Sequence, residues 1–235
     1  MAENWDRNGR GHVRRRERFK HSSGDGHVRR RKRVKHSSGN GRVGREKHIN
    51  LLFGSAANMV ATSLDSRDMI KMNYSRSAVD NLEKIEDFGG TVLHEVNAHT
   101  MSKHPILRRK SFDRIVYNFP HAGFYGPEES LLQIELHRDL VRGLKNAKTM
   151  LTEDGVIHVT HKTAHPYSKW EIEKLAEEQG LFLVEKVRFS VRDYKGYVNR
   201  RGKSPNCYST FRIGEASTYK FSKNDHGIHR DNTSC

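Results

Sequence analysis

From Asn58 onward the chain alternates short apolar runs with stretches whose apolar residues recur every three or four positions. Met59 to Leu64 (MVATSL) reads as a buried strand, and Asp65-Ser66 then offers a helix start. Ala78, Val79, Leu82, Ile85 and Phe88 form one face of a helix that Gly89-Gly90 closes. Strands are predicted over 91–96 and 112–118. Pro127 is expected to open a long helix whose apolar side runs from Leu131 to Leu151. Gly155 ends that unit, and Val156 to Thr160 is the next strand. Ser168-Lys169-Trp170-Glu171 has capping-box spacing for a helix over 170–179 that Gly180 ends. Leu181 to Phe189 and Thr218 to Phe221 complete the strands. With no helical pattern between these last two, they are expected to form an antiparallel pair at one sheet edge. Strand–helix alternation of this kind implies an α/β sheet covered on both faces.

The first 47 residues follow a different pattern. Residues 11–25 read GHVRRRERFKHSSGD and residues 26–40 read GHVRRRKRVKHSSGN, and a decayed third copy starts at Gly41. Each unit carries too few apolar residues to bury a core, so residues 1–47 are predicted to be a disordered arm. Residues 1–48 hold 16 Lys/Arg against 5 Asp/Glu, a net of +11 out of +15 for the whole chain. The charge is therefore concentrated in the arm. Arg14, Arg15, Arg16, Arg29, Arg30 and Arg31 suit phosphate contacts with RNA, or nuclear import. A solvated tail is the alternative.

Composition narrows the classes further. The two cysteines, Cys207 and Cys235, provide neither a disulfide framework nor metal-ligand spacing. His158 and His161 fall on opposite faces of their strand, which argues against a shared metal. No apolar run approaches a membrane span.

FDRIVYNFPHAG (112–123), TSLDS (62–66), VIHVTHKT (156–163), SKWEIEKLAEEQGL (168–181) and GEASTYKF (214–221) carry a more specific signal. Together they resemble the plant-type branch of the 25S ribosomal RNA uridine-N3 methyltransferases, over roughly residues 51–221. The resemblance implies a Rossmann-type class I methyltransferase sheet over 48–221 with a polar tail at 222–235. It implies S-adenosylmethionine as methyl donor, ribosomal RNA or pre-ribosomal particles as partner, and a nuclear or nucleolar location, with the cytoplasm as alternative. Asp65 would accept hydrogen bonds from the donor's ribose, or would simply cap the following helix. Asn97 stands where relatives carry Asp near the adenine. Asn118, Pro120 and His121 resemble the Asn-Pro-Pro-aromatic motif of enzymes that methylate nitrogen, with His121 as a possible base. The alternative for these residues is a tight turn with His121 packed. Lys162 would meet RNA phosphate, or be a solvated lysine. Asn118 and His121 are expected at the mouth of a pocket beside Asp65, where the strands' carboxyl ends gather.

The chain also departs from the family. The glycine-rich segment Gly-Glu-Gly-Asp-Phe-Ser-Phe and the strand before it are missing. INLLF (49–53) cannot pair parallel with MVATSL, because only GSAAN separates them and a parallel crossover needs about a dozen residues. Tyr194-Lys195-Gly196-Tyr197 and KSPNCY (203–208) also differ from the family pattern. The fold is thus expected to be truncated at its N-terminal strand, with the slot either closed or filled by another segment. Two functions follow: methylation of a uridine N3 in ribosomal RNA, or RNA binding without chemistry on a truncated methyltransferase fold.

Overall fold

The computed structural model describes residues 33–36, 55–74, 76–123, 125–194, 196–201 and 207–225. Among these residues seven strands form one sheet. They are β1 (Arg33–His36), β2 (Met59–Thr62), β3 (Thr91–Leu93), β4 (Phe112–Asn118), β5 (Leu151–Lys162), β6 (Phe182–Arg188) and β7 (Ala216–Ser222). Their spatial order is β3-β2-β1-β4-β5-β7-β6. The first five run parallel, and β7 lies antiparallel between β5 and β6. This is the Rossmann-type methyltransferase sheet, including the expected antiparallel pair at one edge.

One finding corrects the sequence reading. The central slot is filled by another segment, one of the two outcomes expected, but that segment comes from the stretch read as a disordered arm. Arg33–His36, from the second 15-residue repeat, pairs parallel with β2 on one side (Val34 opposite Val60) and with β4 on the other (Val34 opposite Ile115). The sheet is therefore not truncated at this strand, and the stretch assigned wholly to a disordered arm contributes its middle. The reason is chain length. Residues 37–58 separate β1 from β2, ample for a parallel crossover, whereas INLLF had five residues to spare. The pattern hid this strand because Arg33 and Lys35 flank Val34, and a central strand is ordinarily a continuous apolar run.

Helices α1 (Arg67–Asn73), α2 (Arg76–Asp87), α3 (Leu131–Arg142), α4 (Leu144–Thr149) and α5 (Ile172–Glu177) flank the sheet. Four local differences from the sequence reading matter. The long helix begins at Leu131, with the Ser130 hydroxyl accepting from Gln133 N–H. It breaks at Gly143, and Leu151 already belongs to β5. The capping box at 168–171 does not form. Tyr167–Trp170 is a 3-10 turn and Glu171 is left-handed (φ 51°). Its carboxylate instead takes a 2.6 Å hydrogen bond from Arg138. The third strand stops at Leu93, short of Val96. Gly155 lies inside β5, where a Cβ would meet the Phe112 carbonyl oxygen at 2.8 Å.

The main core lies around β4 and β5, with Phe112, Ile115, Tyr117, Leu140, Ile157 and Trp170 all buried. Its packing fixes the carboxyl ends of β2, β4 and β5 along one sheet edge, since parallel strands end on the same side. No helix among the described residues is long and apolar enough to cross a membrane.

Candidate functional site

Asn118 is the last residue of β4, opposite Thr160 of β5. Its backbone position is secured by the ladder, and the next residue continues it, with Phe119 N–H donating to the Thr160 carbonyl at 2.7 Å. The Asn118 amide has no side-chain hydrogen bond among the described residues. Phe119 then adopts a left-handed φ of 49°, a costly conformation for a residue with a Cβ, and Pro120 is buried behind it. The chain thus turns out of the sheet directly after Asn118, the last residue of β4.

His121 is anchored rather than loose. Its Nδ1 accepts from Gly123 N–H at 3.0 Å, and its Nε2 lies 3.0 Å from Glu128 Oε1. With Nδ1 accepting, a neutral ring must carry its proton on Nε2 and donate it to Glu128. His137, from α3, repeats the arrangement. Its Nδ1 accepts from Ala122 N–H at 3.1 Å and its Nε2 faces Glu128 Oε2 at 3.3 Å. Gln133 Nε2 approaches the same ring nitrogen at 2.8 Å. That amide's orientation is fixed, since Oε1 accepts from Tyr125 N–H and Nε2 donates to the Gly123 carbonyl. The close nitrogens are therefore two donors side by side, and Glu128 is the acceptor. Burial opposes ionisation of Glu128, but the two imidazole N–H groups outweigh it and hold its pKa at about 2. Burial keeps His137 neutral by pushing its pKa down.

His121, Glu128 and His137 place one ligand atom each within 4.8 Å of one another, a spacing that a metal could use. The tautomers oppose it. Coordination through Nε2 would strip both rings of that proton while backbone N–H groups still point at Nδ1. The cluster is a hydrogen-bonded clamp on the 119–123 turn. Added zinc is accordingly expected to leave the melting temperature unchanged. A saturable rise that EDTA reverses would overturn this assignment.

Behind the clamp runs a stack of buried rings. His137 lies on Trp170 (3.9 Å between centroids, 24°), and His161 lies against the same indole at 4.1 Å. His161 Nε2 bonds the Tyr167 carbonyl oxygen at 3.2 Å, and burial pushes its pKa to about 3. His158 is also pushed to about 3, by burial and then by Arg114 and Lys220. No local pattern marks this histidine–tryptophan stack, since its members come from three separate segments.

Asp65 lies beyond the end of β2 and is buried. Its Oδ2 accepts from the Tyr74 hydroxyl at 2.8 Å. It is not the helix cap. That role belongs to Ser66, whose hydroxyl accepts from Met69 N–H. Asn97, in the loop after β3, uses its Oδ1 to accept from His99 N–H at 2.9 Å. Asp65, Asn118 and Lys162 therefore follow or end strands on one sheet edge, with β1 between Asp65's strand and Asn118's. Arg14, Arg15, Arg16, Arg29, Arg30 and Arg31 lie outside the described residues.

Sequence reasoning missed Glu128, His137, Tyr167 and Phe211 as neighbours of this edge. Glu128 had a faint signal, an acidic residue shortly before a helix, but its function as clamp depends on a turn that only the fold shows.

Comparison with known proteins adds the family. Residues 47–201 match the model of the BMT5-like family, described as rRNA (uridine-N3-)-methyltransferase BTM5-like. The Arabidopsis thaliana protein At4g26485, itself uncharacterized, is 49% identical over 175 residues, spanning 73% of this chain and 83% of the relative. The 25S rRNA (uridine(2634)-N(3))-methyltransferase of Saccharomyces cerevisiae is 24% identical over 199 residues, spanning 63% of this chain and 59% of the yeast protein. Among solved structures, a TehB-like SAM-dependent methyltransferase from Corynebacterium glutamicum aligns with a TM-score of 0.45 at 16% identity, covering 84% of this chain and 83% of its own.

Proposed function

Because the chain belongs to the BMT5-like rRNA (uridine-N3) methyltransferase family, we propose that it transfers a methyl group from S-adenosylmethionine to N3 of a uridine in large-subunit ribosomal RNA. The observation that carries this reading is the Asn118 amide, held without a side-chain partner among the described residues at the end of β4 by a strained turn and a two-histidine clamp.

The donor would supply an electrophilic methyl on a sulfonium. The residues at the ends of β2 and β3 fit such a polar ligand. Asp65 offers a carboxylate for ribose hydroxyls. The buried Thr62 hydroxyl has no hydrogen-bond partner within the described structure. Asn97, its Oδ1 engaged by His99, retains an amide N–H₂ group for an adenine ring nitrogen.

Asn118 would orient the target base by accepting from, or donating to, its ring edge, and Pro120 would keep the neighbouring backbone rigid. His121 holds the turn in place. Both of its ring nitrogens are engaged, so in this arrangement it has no lone pair for a proton. The arm, with its arginine clusters, would bind RNA phosphate and give affinity without sequence choice. Such a substrate implies action in the nucleolus or nucleus.

The test is direct. Full-length protein, S-adenosylmethionine and a large-subunit rRNA transcript should yield N3-methyluridine. Asn118→Ala should lower the rate at least about 100-fold, the scale of removing one well-placed polar group in a transition state, with RNA affinity retained. RNA binding without any methyl transfer would instead establish a binding protein on a methyltransferase fold.

A further inference from the structure

Lys162 ends β5, two residues beyond Thr160, the ladder partner of Asn118. Its side chain turns toward a set of aromatic rings. Nζ donates to the Tyr167 hydroxyl at 3.2 Å and lies 4.4 Å from the Tyr167 ring centroid and 5.2 Å from that of Phe211. Phe211 in turn packs edge-on against Phe119 (5.6 Å, 74°), the residue directly after Asn118. Phe119 also meets Phe189 edge-on at 5.3 Å. A set of ring contacts thus runs from Phe119, the residue after Asn118, through Phe211 to the Lys162 ammonium.

The ammonium is half-buried, and no carboxylate among the described residues forms an ion pair with it. Burial holds its pKa below the usual ammonium range. Glu128 attracts it from a distance, and Arg201 repels it. A desolvated cation of this kind is a strong hydrogen-bond donor, and it gains most from an acceptor on which negative charge develops. Aromatic faces beside it suit an unstacked base, which is how single-stranded RNA is commonly held.

We propose that Lys162, backed by Tyr167 and Phe211, hydrogen-bonds a carbonyl oxygen of the target uracil and stabilises the base after it loses its N3 proton. This rests on the uridine-N3 reading above. Uracil carries a carbonyl on each side of N3. When the N3–H bond breaks, its proton passes to solvent and its electron pair stays on the ring, shared between N3 and the two carbonyl oxygens. The ammonium neutralises that charge. The N3 pair then forms the new N–CH₃ bond as the S–CH₃ bond breaks toward sulfur. No general base is required, consistent with both nitrogens of His121 being engaged.

The test uses the full chain and a short single-stranded RNA containing 5-fluorouridine, whose N3–H ionises nearer neutrality and whose fluorine reports ionisation by NMR. Binding should lower the N3–H pKa by about one unit or more, the shift expected of a close, partly buried cation. Lys162→Met should abolish that shift while keeping the melting temperature and leaving RNA affinity within a few-fold. Lys162→Arg should retain part of it. An unshifted pKa in the bound wild type, or a shift that survives in Lys162→Met, would overturn the proposal. So would a variant whose only defect is a flatter salt dependence, since Lys162 would then contact phosphate. A wild type that shifts the pKa but transfers no methyl would leave this inference standing and sink the proposed reaction. A chain that binds no RNA would sink both.

Discussion

A chain lacking residues 1–31 is expected to fold like the full-length protein, and one lacking residues 1–40 is expected not to hold the native sheet. The first deletion removes one whole repeat and the arginine clusters but keeps β1. The second removes β1, whose backbone is paired with β2 over four residues and with β4 over three. Both neighbours would then face an empty slot in the middle of a covered sheet. Each buried N–H or C=O left without a partner costs about 1–3 kcal/mol. A handful of them reaches the total stability of a typical domain, roughly 5–15 kcal/mol. Circular dichroism and thermal melting of the two truncations measure this. Equal melting temperatures would show that Arg33–His36 does not support the sheet. The shorter deletion also isolates the arm. Residues 1–31 hold 10 Lys/Arg and 4 Asp/Glu, so their loss should weaken RNA binding and reduce its salt dependence without touching the fold.

The second large effect is acid lability. His158 and His161 are buried with pKa values pushed down to about 3, against 6.5 for an exposed imidazole. Between those values the unfolded chain binds a proton at each site and the folded chain does not. Stability is therefore fully present above pH 6.5 and is lost as pH falls toward 3. One pH unit corresponds to about 1.4 kcal/mol per histidine, so at pH 5 the pair together costs about 4 kcal/mol. His137, with its pKa lowered by burial, acts in the same direction. Glu128, held at about 2, adds a contribution that is present above pH 4.5 and is lost toward 2. Urea denaturation at pH 7 and pH 5 should show the midpoint falling steeply, and His158→Gln should flatten the dependence. A midpoint that stays constant over this range would mean that these imidazoles are not held neutral by burial.

Much of this molecule follows from local sequence. The strand over 112–118 has the predicted bounds, with the apolar stretch Ile115-Val116-Tyr117 buried at its centre. Gly180 stops its helix in a left-handed conformation (φ 68°), which a residue without a Cβ adopts freely. From β2 onward the order of strands and helices was likewise legible, as was the antiparallel pair at the edge. NFPHAG leaves the end of β4 as consecutive residues, so the side chains offered there can be read in a row.

The tertiary structure decided the rest. Which segment fills the sheet's centre depends on the backbone hydrogen-bonding needs of β2 and β4 and on a connection long enough to cross over, and neither is written in the four residues RVKH. The break at Gly143 and the early end of α4 follow from where β5 must begin to pair with β4. Glu128 became a clamp only when the 119–123 turn and α3 brought two imidazoles to its two oxygens. Lys162 changed from a surface lysine to a half-buried cation because Tyr167 and Phe211 close over it from segments 5 and 49 residues away. Local pattern records what one segment buries. It does not record which distant groups will satisfy, desolvate or charge a side chain, and those long-range contacts set the chemistry at this edge of the sheet.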